Sequence, residues 1–388
     1  MMPMRVLEIV LGRELLPIYE KVMAGERLSF EDGVLLYTTP NLSGVGYLAN
    51  LVRERLNGNY AYYIRNLHIN YTNICNKGCK FCSFYAQKGG PKPYTLTMDE
   101  VRERLRAYRH IPITEVHIVG GVNPRLPYQY YLDLVRTVKE ERPEVHIKAF
   151  TAVEWEEIAR VAKKPLAEVL QEMKAAGLGS VPGGGIEVLS DRIHAELFPK
   201  KINGKRWKEI AREIAAAGLK QYATLLYGIG ETIEERVDHF IQLRELQDET
   251  GHFLAITPLS FHPEGTQLAH LPHPSGDDDL RNIAVARLML DNFPHIKSFW
   301  IMNTPAITQI ALWYGADDVD GTVHEYEIVY QDDAPGVRQQ LLTRNALIRL
   351  IREAGRVPVE RDSLYQIVRR PDEEPEPTLS RVPLRVLS

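Results

Sequence analysis

An alternation of strand-like and helical segments runs through most of this sequence and constrains the fold more than any other feature. Amphipathic helical patterns separate strand-like runs that are rich in β-branched and aromatic residues. The runs are 64–72, 114–120, 144–150, 178–183, 220–228, 253–261 and 296–302. Strict alternation predicts a parallel α/β sheet with right-handed crossovers. Seven strands, with an eighth near 316–323, favour a closed (β/α) barrel of the TIM type over an open sheet.

The two ends of the chain depart from this alternation. Residues 1–60 predict an N-terminal helical extension with a turn at 38–44. After the barrel, residues 337–355 form one amphipathic pattern and predict a C-terminal helical extension. Residues 371–383 are rich in proline and acidic residues, so we expect them to be extended or disordered. We therefore divide the chain into an N-terminal extension (1–60), a barrel (61–325) and a C-terminal extension (326–388).

Composition and charge exclude several classes of protein. The 388 residues are 44% hydrophobic and 25% charged, with a formal net charge of -4. This balance argues against a general nucleic-acid surface, and no basic cluster with interleaved aromatic residues occurs. No apolar run is long enough to cross a bilayer, and the N-terminus lacks the features of a signal peptide. We therefore expect a cytoplasmic protein without a nucleic-acid or membrane partner.

All three cysteines of the chain, Cys75, Cys79 and Cys82, follow the first barrel strand. An odd number of cysteines within eight residues is a poor disulfide framework and a good metal site. A cubane iron–sulfur cluster normally takes four thiolates, so three would leave one iron open to a chelating substrate. Gly78 between them permits backbone conformations that other residues avoid. The alternative is zinc with His68 as fourth ligand, but a residue within the strand is poorly placed to reach the loop.

The pattern Cys-x3-Cys-x-Phe-Cys after the first strand resembles the radical S-adenosylmethionine (SAM) superfamily. This resemblance implies a [4Fe-4S] cluster on the three cysteines, with SAM bound at the open iron. It also places Phe81 near the adenine of SAM, although simple core packing is an equal alternative. The segment Gly120–Gly121–Val122 resembles the family's Gly-Gly-Glu segment, which meets the SAM amino group. Because valine replaces the acid, only backbone contacts of Gly120 and Gly121 carry over.

Longer segments, among them KAFTAVE (148–154) and SFHPEGT (260–266), resemble the aminofutalosine synthases over most of residues 60–330. That family makes 6-amino-6-deoxyfutalosine for menaquinone. It does so by adding the 5′-deoxyadenosyl radical to 3-[(1-carboxyvinyl)oxy]benzoate, with loss of bicarbonate. The resemblance implies SAM as co-substrate and an electron donor such as flavodoxin or ferredoxin. Two positions depart from the family pattern, since Ile229 replaces a histidine and Ser83 an alanine.

The sequence leaves several alternative functions undecided. The chain also resembles cyclic dehypoxanthinyl futalosine synthase and FO synthase-like enzymes of the same group. The cyclase would use the radical to abstract hydrogen, which releases free 5′-deoxyadenosine. From another class, a non-catalytic zinc-stabilised binding protein is the remaining alternative, and iron and sulfide analysis separates it from an enzyme.

Glu187 and Arg206 are the further candidates for SAM binding. Glu187 follows three glycines in PGGGIE (182–187), and the resemblance implies that it bonds the SAM ribose. The alternative is a tight turn that carries a solvated carboxylate. Arg206 lies in a segment that matches the family and is a candidate for the SAM carboxylate.

Substrate-binding candidates lie on and beyond the first strand. His68, Asn70 and Thr72 share one face of it, which predicts a polar wall inside the barrel that binds substrate or bonds neighbouring strands. The two carboxylates of the implied substrate require cationic or hydrogen-bonding partners, for which Lys148 and His262 are candidates, as are Arg125 and Arg206. A structural or solvated role is equally open for each. The sequence identifies no catalytic side chain.

Overall fold

The computed structural model describes residues 4–87, 91–329 and 341–369. Its helices are α1 (Met4–Ala24), α2 (Phe30–Thr38), α3 (Leu42–Asn57), α4 (Met98–Ala107), α5 (Tyr128–Glu141), α6 (Ala152–Ala162), α7 (Leu166–Ala176), α8 (Asp191–Leu197), α9 (Gly204–Ala216), α10 (Ile233–Thr250), α11 (Gly276–Met289), α12 (Trp300–Asn303), α13 (Pro305–Ala311) and α14 (Arg344–Glu353). Its strands are β1 (Tyr60–Ile64), β2 (Asn66–Ile69), β3 (Glu115–Ile118), β4 (His146–Ala149), β5 (Leu178–Val181), β6 (Lys220–Tyr227), β7 (Phe253–Ser260), β8 (His295–Ile296), β9 (Asp318–Gly321), β10 (Val357–Arg361) and β11 (Ile367–Arg369).

A seven-stranded parallel sheet forms the centre of the fold, with the order β2-β3-β4-β5-β6-β7-β8. Helices connect successive strands, which confirms the α/β architecture predicted from the alternation. Single bridges join Lys297 after β8 to Asp318 of β9, and Leu67 of β2 to His324. The segment around β9 therefore reaches both edges of the sheet, which must curl to allow it. Strand β9 lies within the eighth strand predicted near 316–323, and it occupies the position between the two edges of the sheet.

Helix caps set the turns that follow the strands. Thr151, two residues after β4, is the N-cap of α6 in a capping box, in which its backbone N–H and hydroxyl donate to the Glu154 carboxylate. Thr97, Thr232 and Ser275 form the same box at α4, α10 and α11. Each box satisfies backbone N–H groups that the first helical turn leaves open. The helices therefore start at defined places.

The N-terminal helices α1, α2 and α3 confirm the predicted extension. Asn41 caps α3, and Gly58 ends it with a φ of 56°. Helix α3 packs against α1 and α11, so the extension covers one side of the barrel helices. No described helix is both long enough and apolar enough to span a membrane.

A second sheet, with the order β11-β10-β1-β9, was not expected from the sequence. Strand β1 pairs in parallel with β10, where Tyr60 lies opposite Val357. It also pairs in parallel with β9, where Tyr62 lies opposite Asp318. The segment after α14 thus adds strands beside the start of the barrel pattern. The division of the chain at residues 60 and 325 stays a prediction.

Two predicted elements have different bounds in the structure. The strand predicted at 296–302 is wrong in its second half, because sheet pairing ends at Ser298 and the chain continues as α12 from Trp300. Its apolar residues are buried in a helix instead, and the indole of Trp300 donates to the Gly321 carbonyl at 2.8 Å. The helix predicted at 337–355 begins only at Arg344, because the hydroxyl of Thr343 caps it. Residues 337–340 and the tail at 371–383 lie outside the described residues.

Buried ion pairs hold β9 and the second sheet together. Asp318 of β9 pairs with Arg361 of β10 at 2.6 Å, and both side chains are fully buried. Asp317 pairs with Arg287 of α11 and, at 2.5 Å, with Nδ1 of His295. Breaking a buried pair leaves an uncompensated charge in a medium that solvates it poorly. These pairs therefore specify where β9 and β10 lie.

We predict that Arg361→Met lowers the free energy of unfolding by about 3–5 kcal/mol, because it leaves Asp318 charged and unpaired in the interior. The double variant Arg361→Met/Asp318→Asn removes both charges and should recover much of that loss. Urea unfolding followed by circular dichroism measures both. The control Arg349→Met removes an exposed pair with Glu353 and should cost under about 1 kcal/mol. Equal losses in the single and double variants would contradict the role of the pair.

Candidate active site

A cavity of about 340 Å³ lies where the carboxyl ends of the parallel strands meet. Its size is that of a small-molecule site, and this end of a barrel is where ligands gather. It brings together most of the residues predicted from the sequence. The predicted residues that line it are Cys75, Cys79, Cys82, Phe81, Gly120, Gly121, Glu187, His68, Lys148 and His262.

The cysteine loop (residues 73–86) follows β2 and is held by backbone hydrogen bonds. The Ala86 N–H donates to the Asn73 carbonyl at 2.9 Å and closes the loop at its base. The N–H groups of Asn76 and Lys80 donate to the carbonyls of Val122 and Leu197 at 3.1 and 3.0 Å. Gly78 has a φ of 60°, the left-handed conformation predicted for it. Because the backbone makes these bonds, the cysteine side chains are left to face the cavity.

The three thiols suit an iron–sulfur cluster better than a single zinc ion. They form no disulfide, and Cys79 is buried. Burial raises the pKa of the Cys79 thiol to about 12, so a bound cation is needed to hold it as thiolate. Three thiols are one short of the four ligands that a structural zinc site takes. Three thiolates fit a [4Fe-4S] cluster that keeps one iron open for a ligand.

The segment Gly120–Gly121 crosses directly over the base of the cysteine loop. A Cβ atom on Gly121 would lie 2.5 Å from the Ile74 carbonyl oxygen, and one on Gly120 would lie 2.7 Å from the Tyr71 ring. Neither position therefore has room for a side chain. The Gly121 N–H donates to the Thr72 carbonyl at 2.7 Å, which ties the end of β3 to the end of β2. Both glycines therefore line the cavity through their backbone, and their contact with SAM stays a prediction.

Glu154 supplies a carboxylate beside this segment and was not predicted as a site residue. Its Oε1 accepts from the Gly120 N–H at 3.0 Å and from the Tyr71 hydroxyl at 2.9 Å. Its Oε2 accepts from the backbone and hydroxyl of Thr151, both at 2.7 Å. Burial raises the pKa of Glu154 to about 7. The capping-box pattern Thr-x-x-Glu in KAFTAVE was the signal in the sequence.

Glu187 is buried and paired, so the structure does not place it on a solvated turn. Its carboxylate lies 2.5 Å from the ammonium of Lys201, and both side chains line the cavity. The Lys201 ammonium also lies 5.1 Å from the ring centroid of Phe81, which packs edge-on against Phe198. Lys201 thus links the glycine-rich turn to the cysteine loop. Sequence reasoning missed Lys201 because the loop between α8 and α9 has no periodicity.

Deeper in the cavity, four polar side chains form what we call the polar floor: His68, His117, Lys148 and Lys297. Lys148 pairs with Glu115 at 2.7 Å, and Lys297 pairs with Asp320 at 3.3 Å. Burial alone would raise the pKa of Glu115, but the neighbouring Lys148 lowers it well below its ordinary value. The floor therefore holds charged pairs beside imidazoles. His117 and Lys297 were not predicted.

Asn70 and Thr72 are buried but lie outside the cavity lining. The Asn70 amide donates to the Val119 carbonyl and accepts from the Glu327 N–H, each at 3.0 Å. The Thr72 hydroxyl donates to the Tyr94 carbonyl at 2.7 Å. These contacts match the alternative in which the two residues bond neighbouring segments, and their substrate-binding role stays a prediction.

The predicted arginines do not line the cavity either. Arg206 pairs with Glu156, Glu209 and Glu213 on the helix surface, so its guanidinium is engaged there. Arg125 also lies outside the lining. The structure therefore does not bring Arg206 to the other predicted SAM contacts, and its role stays a prediction.

His262 and Ile229 sit at the ends of neighbouring strands. His262 lines the cavity, and its Nε2 lies 3.0 Å from the Met302 carbonyl. Ile229, where the resemblance leads to a histidine, is buried in the core and does not line the cavity. Its N–H and that of Gly228 donate to Glu231, which fixes the turn after β6.

Comparison with known proteins gives two matching families. Residues 69–243 match the radical SAM superfamily, and residues 250–374 match the CofH/MqnC C-terminal region. An aminodeoxyfutalosine synthase from Thermus thermophilus is 46% identical over 359 residues, which cover 92% of this chain and 96% of the relative. The Streptomyces coelicolor enzyme of that name is 39% identical, covering 95% and 97%. A cyclic dehypoxanthine futalosine synthase from Halalkalibacterium halodurans is 34% identical, covering 91% and 94%.

Solved structures agree on the fold. Methylornithine synthase superposes with a TM-score of 0.72 at 19% identity, over 88% of this chain and 96% of that chain. HydG, a maturase of the [FeFe]-hydrogenase, gives 0.70 at 17% identity, over 92% and 79%. The chain belongs to the radical SAM superfamily, in the group whose members share the CofH/MqnC C-terminal region.

Proposed function

We propose that this chain is an aminodeoxyfutalosine synthase. The observation that carries the proposal is its 46% and 39% identity to two such synthases over nearly the whole chain, against 34% for two cyclic dehypoxanthine futalosine synthases. The cavity adds support, because it joins a three-cysteine loop to a polar floor suited to carboxylates. In the proposed reaction, the adenosyl carbon of SAM bonds to the vinyl ether of 3-[(1-carboxyvinyl)oxy]benzoate. Methionine leaves from SAM and the aryl group then moves from oxygen to carbon. The carboxylate of the vinyl ether is lost as carbon dioxide, which water converts to bicarbonate, and the electron that cleaved SAM is returned.

Cys75, Cys79 and Cys82 would hold the [4Fe-4S] cluster, which supplies the electron that cleaves SAM. The chain itself contributes placement and exclusion of water. Gly120 and Gly121 offer backbone atoms for the amino acid part of SAM, and Glu154 fixes their position. The apolar walls keep solvent from a reactive radical.

Glu187 would bond the ribose hydroxyls of SAM. Its pairing with Lys201 holds the carboxylate in the cavity lining, while Phe81 beside Lys201 offers a face to the adenine. A reduced flavodoxin or ferredoxin would deliver the electron. We place the reaction in the cytoplasm, where thiols and clusters stay reduced.

We predict that each of Cys75→Ala, Cys79→Ala and Cys82→Ala removes most of the cluster, because each cysteine would bind a different iron. Anaerobically reconstituted wild-type protein should contain about four irons and four sulfides per chain. Iron and sulfide analysis with absorption spectra measures both. One zinc per chain, or a single-cysteine variant with a full cluster, would contradict the ligand assignment.

We predict that Glu187→Gln weakens SAM binding by about 10- to 150-fold, which corresponds to about 1.5–3 kcal/mol for buried charge-assisted hydrogen bonds. The cluster content should not change. Equilibrium binding of SAM to the reconstituted protein measures the effect. The control Glu249→Gln alters an exposed pair with Arg212 and should bind SAM as wild type does. Unchanged affinity in Glu187→Gln would remove this residue from the SAM site.

We predict that SAM labelled at C5′ transfers its label to a product containing adenosine, benzoate and the linking carbons. Methionine should form alongside it, with little free 5′-deoxyadenosine at saturating substrate, because the radical adds rather than abstracts hydrogen. Mass spectrometry of the anaerobic reaction measures both species. Stoichiometric 5′-deoxyadenosine without a labelled adduct would overturn the synthase proposal and favour cyclase-like chemistry.

A further inference from the structure

The polar floor is a continuous row across neighbouring strands. His68 of β2 lies opposite His117 of β3, which lies opposite Lys148 of β4. Lys297 follows β8 and closes the row from the other edge of the sheet. The interior of a barrel is usually filled by branched apolar side chains. A row of buried imidazoles and ammonium groups inside the barrel therefore indicates a ligand that contacts them.

Each lysine of the floor keeps hydrogen-bonding capacity after its ion pair. Lys148 is paired with Glu115, and Lys297 is paired with Asp320. Both ammonium groups also lie over the ring of Tyr222, at 4.8 and 5.1 Å from its centroid. An ammonium group has three donors, and one carboxylate contact uses one of them. Since both lysines line the cavity, their remaining donors can serve an anion there.

The tautomer of His68 is fixed by its neighbour. The Oδ1 of Asn66 accepts from the Val323 N–H at 2.8 Å, so the Asn66 atom that lies 3.3 Å from His68 Nε2 is the amide nitrogen. Nε2 must then accept, and the ring proton lies on Nδ1. Burial lowers the pKa of His68 to about 4, which keeps the ring neutral.

Among the described residues, His68 Nδ1 and His117 Nε2 are buried without a hydrogen-bond partner. Buried polar atoms in folded proteins nearly always have one. The two rings lie 4.7 Å apart between centroids, and both residues line the cavity. The two imidazoles therefore lie side by side in the lining with hydrogen-bonding capacity that the protein does not use.

The cavity also has an apolar wall, which adjoins the floor. Leu259, Phe299 and Tyr326 line the cavity, and Tyr326 packs edge-on against both His68 and Phe299. Gly120 beside the cysteine loop follows His117 by three residues, which corresponds to about 10 Å of extended chain. The cavity therefore has a polar end with an apolar and aromatic wall beside it, and a cysteine end at a distance from the floor. A ligand with an aromatic ring between a reactive group and a distant anion fits this order.

We propose that the polar floor binds the carboxylate on the aromatic ring of the substrate, with the ring against the apolar wall and the vinyl ether towards the cysteine loop. The inference rests on the proposed function for the identity of the substrate. It assigns His68, His117, Lys148 and Lys297 as the residues that select an aryl carboxylate. The carboxylate of the vinyl ether lies towards SAM and does not use the floor.

The test is binding of substrate analogues to the reconstituted holoenzyme without reductant, measured by calorimetry. Three probes are used: the dicarboxylate substrate, 2-phenoxyacrylate, which lacks the ring carboxylate, and 3-(vinyloxy)benzoate, which lacks the other one. For wild type, we expect 2-phenoxyacrylate to bind about 10- to 100-fold more weakly than the substrate, as loss of a charge-assisted contact predicts.

Paired variants remove floor cations without leaving a buried acid unpaired. Lys148→Met/Glu115→Gln and Lys297→Met/Asp320→Asn each delete one ion pair, and asparagine tolerates the left-handed backbone at position 320. We expect each to bind the substrate and 3-(vinyloxy)benzoate about 10- to 100-fold more weakly, while 2-phenoxyacrylate changes by less than about threefold. The control Lys220→Met also replaces a lysine by methionine, but Lys220 begins β6 and lies outside the cavity lining, where its ammonium donates to the Gly251 carbonyl. It should not alter any of the three affinities.

The outcomes separate this inference from the proposed function. Equal losses for all three probes, or none, would overturn the role of the floor even if the labelled adduct forms. Selective loss with 2-phenoxyacrylate instead would mean that the floor holds the vinyl ether carboxylate, which also overturns it. Aryl carboxylate binding with the expected pattern but no labelled adduct would leave the floor standing and overturn the synthase proposal. Cluster content and circular dichroism of each variant exclude misfolding as the cause.

Discussion

Three aspartates on one short segment connect the parts of this molecule. Asp317 pairs with Arg287 and His295, and Asp318 pairs with Arg361 of the second sheet. Asp320 pairs with Lys297 inside the cavity. A buried carboxylate is stable only beside a partner, so each aspartate fixes the neighbours with which it pairs. The same segment thus closes the curled sheet, joins the second sheet and places a cation at the floor.

The alternation of strands and helices could be predicted because each element carries its own periodicity. The second sheet could not, since β1 and β10 pair across nearly the whole chain and local patterns contain no sign of that contact. The run at 296–302 was misjudged for a related reason. A short apolar segment is buried equally well as strand or helix, so its pattern does not show that α12 begins at Trp300.

The site residues could be predicted from the sequence where they belong to a short motif of characteristic spacing. The cysteines and the glycines at 120–121 have distinctive spacing, and the structure places them together. Polar residues on strands were harder, because sequence does not tell which of them meet a ligand. His68 lines the cavity, whereas Asn70 on the same face bonds Val119. His117 could have been found, since it has the same place in its strand as His68 has in the one before.

The two ends of the cavity differ in which part of the chain forms them. Backbone hydrogen bonds hold most of the cysteine loop, and the Asn73 amide adds bonds to the Lys92 carbonyl and the Tyr94 N–H, each at 2.8 Å. The floor consists of side chains on strands whose backbone is fixed by the sheet. A substitution there changes the ligand surface and leaves the strands in place.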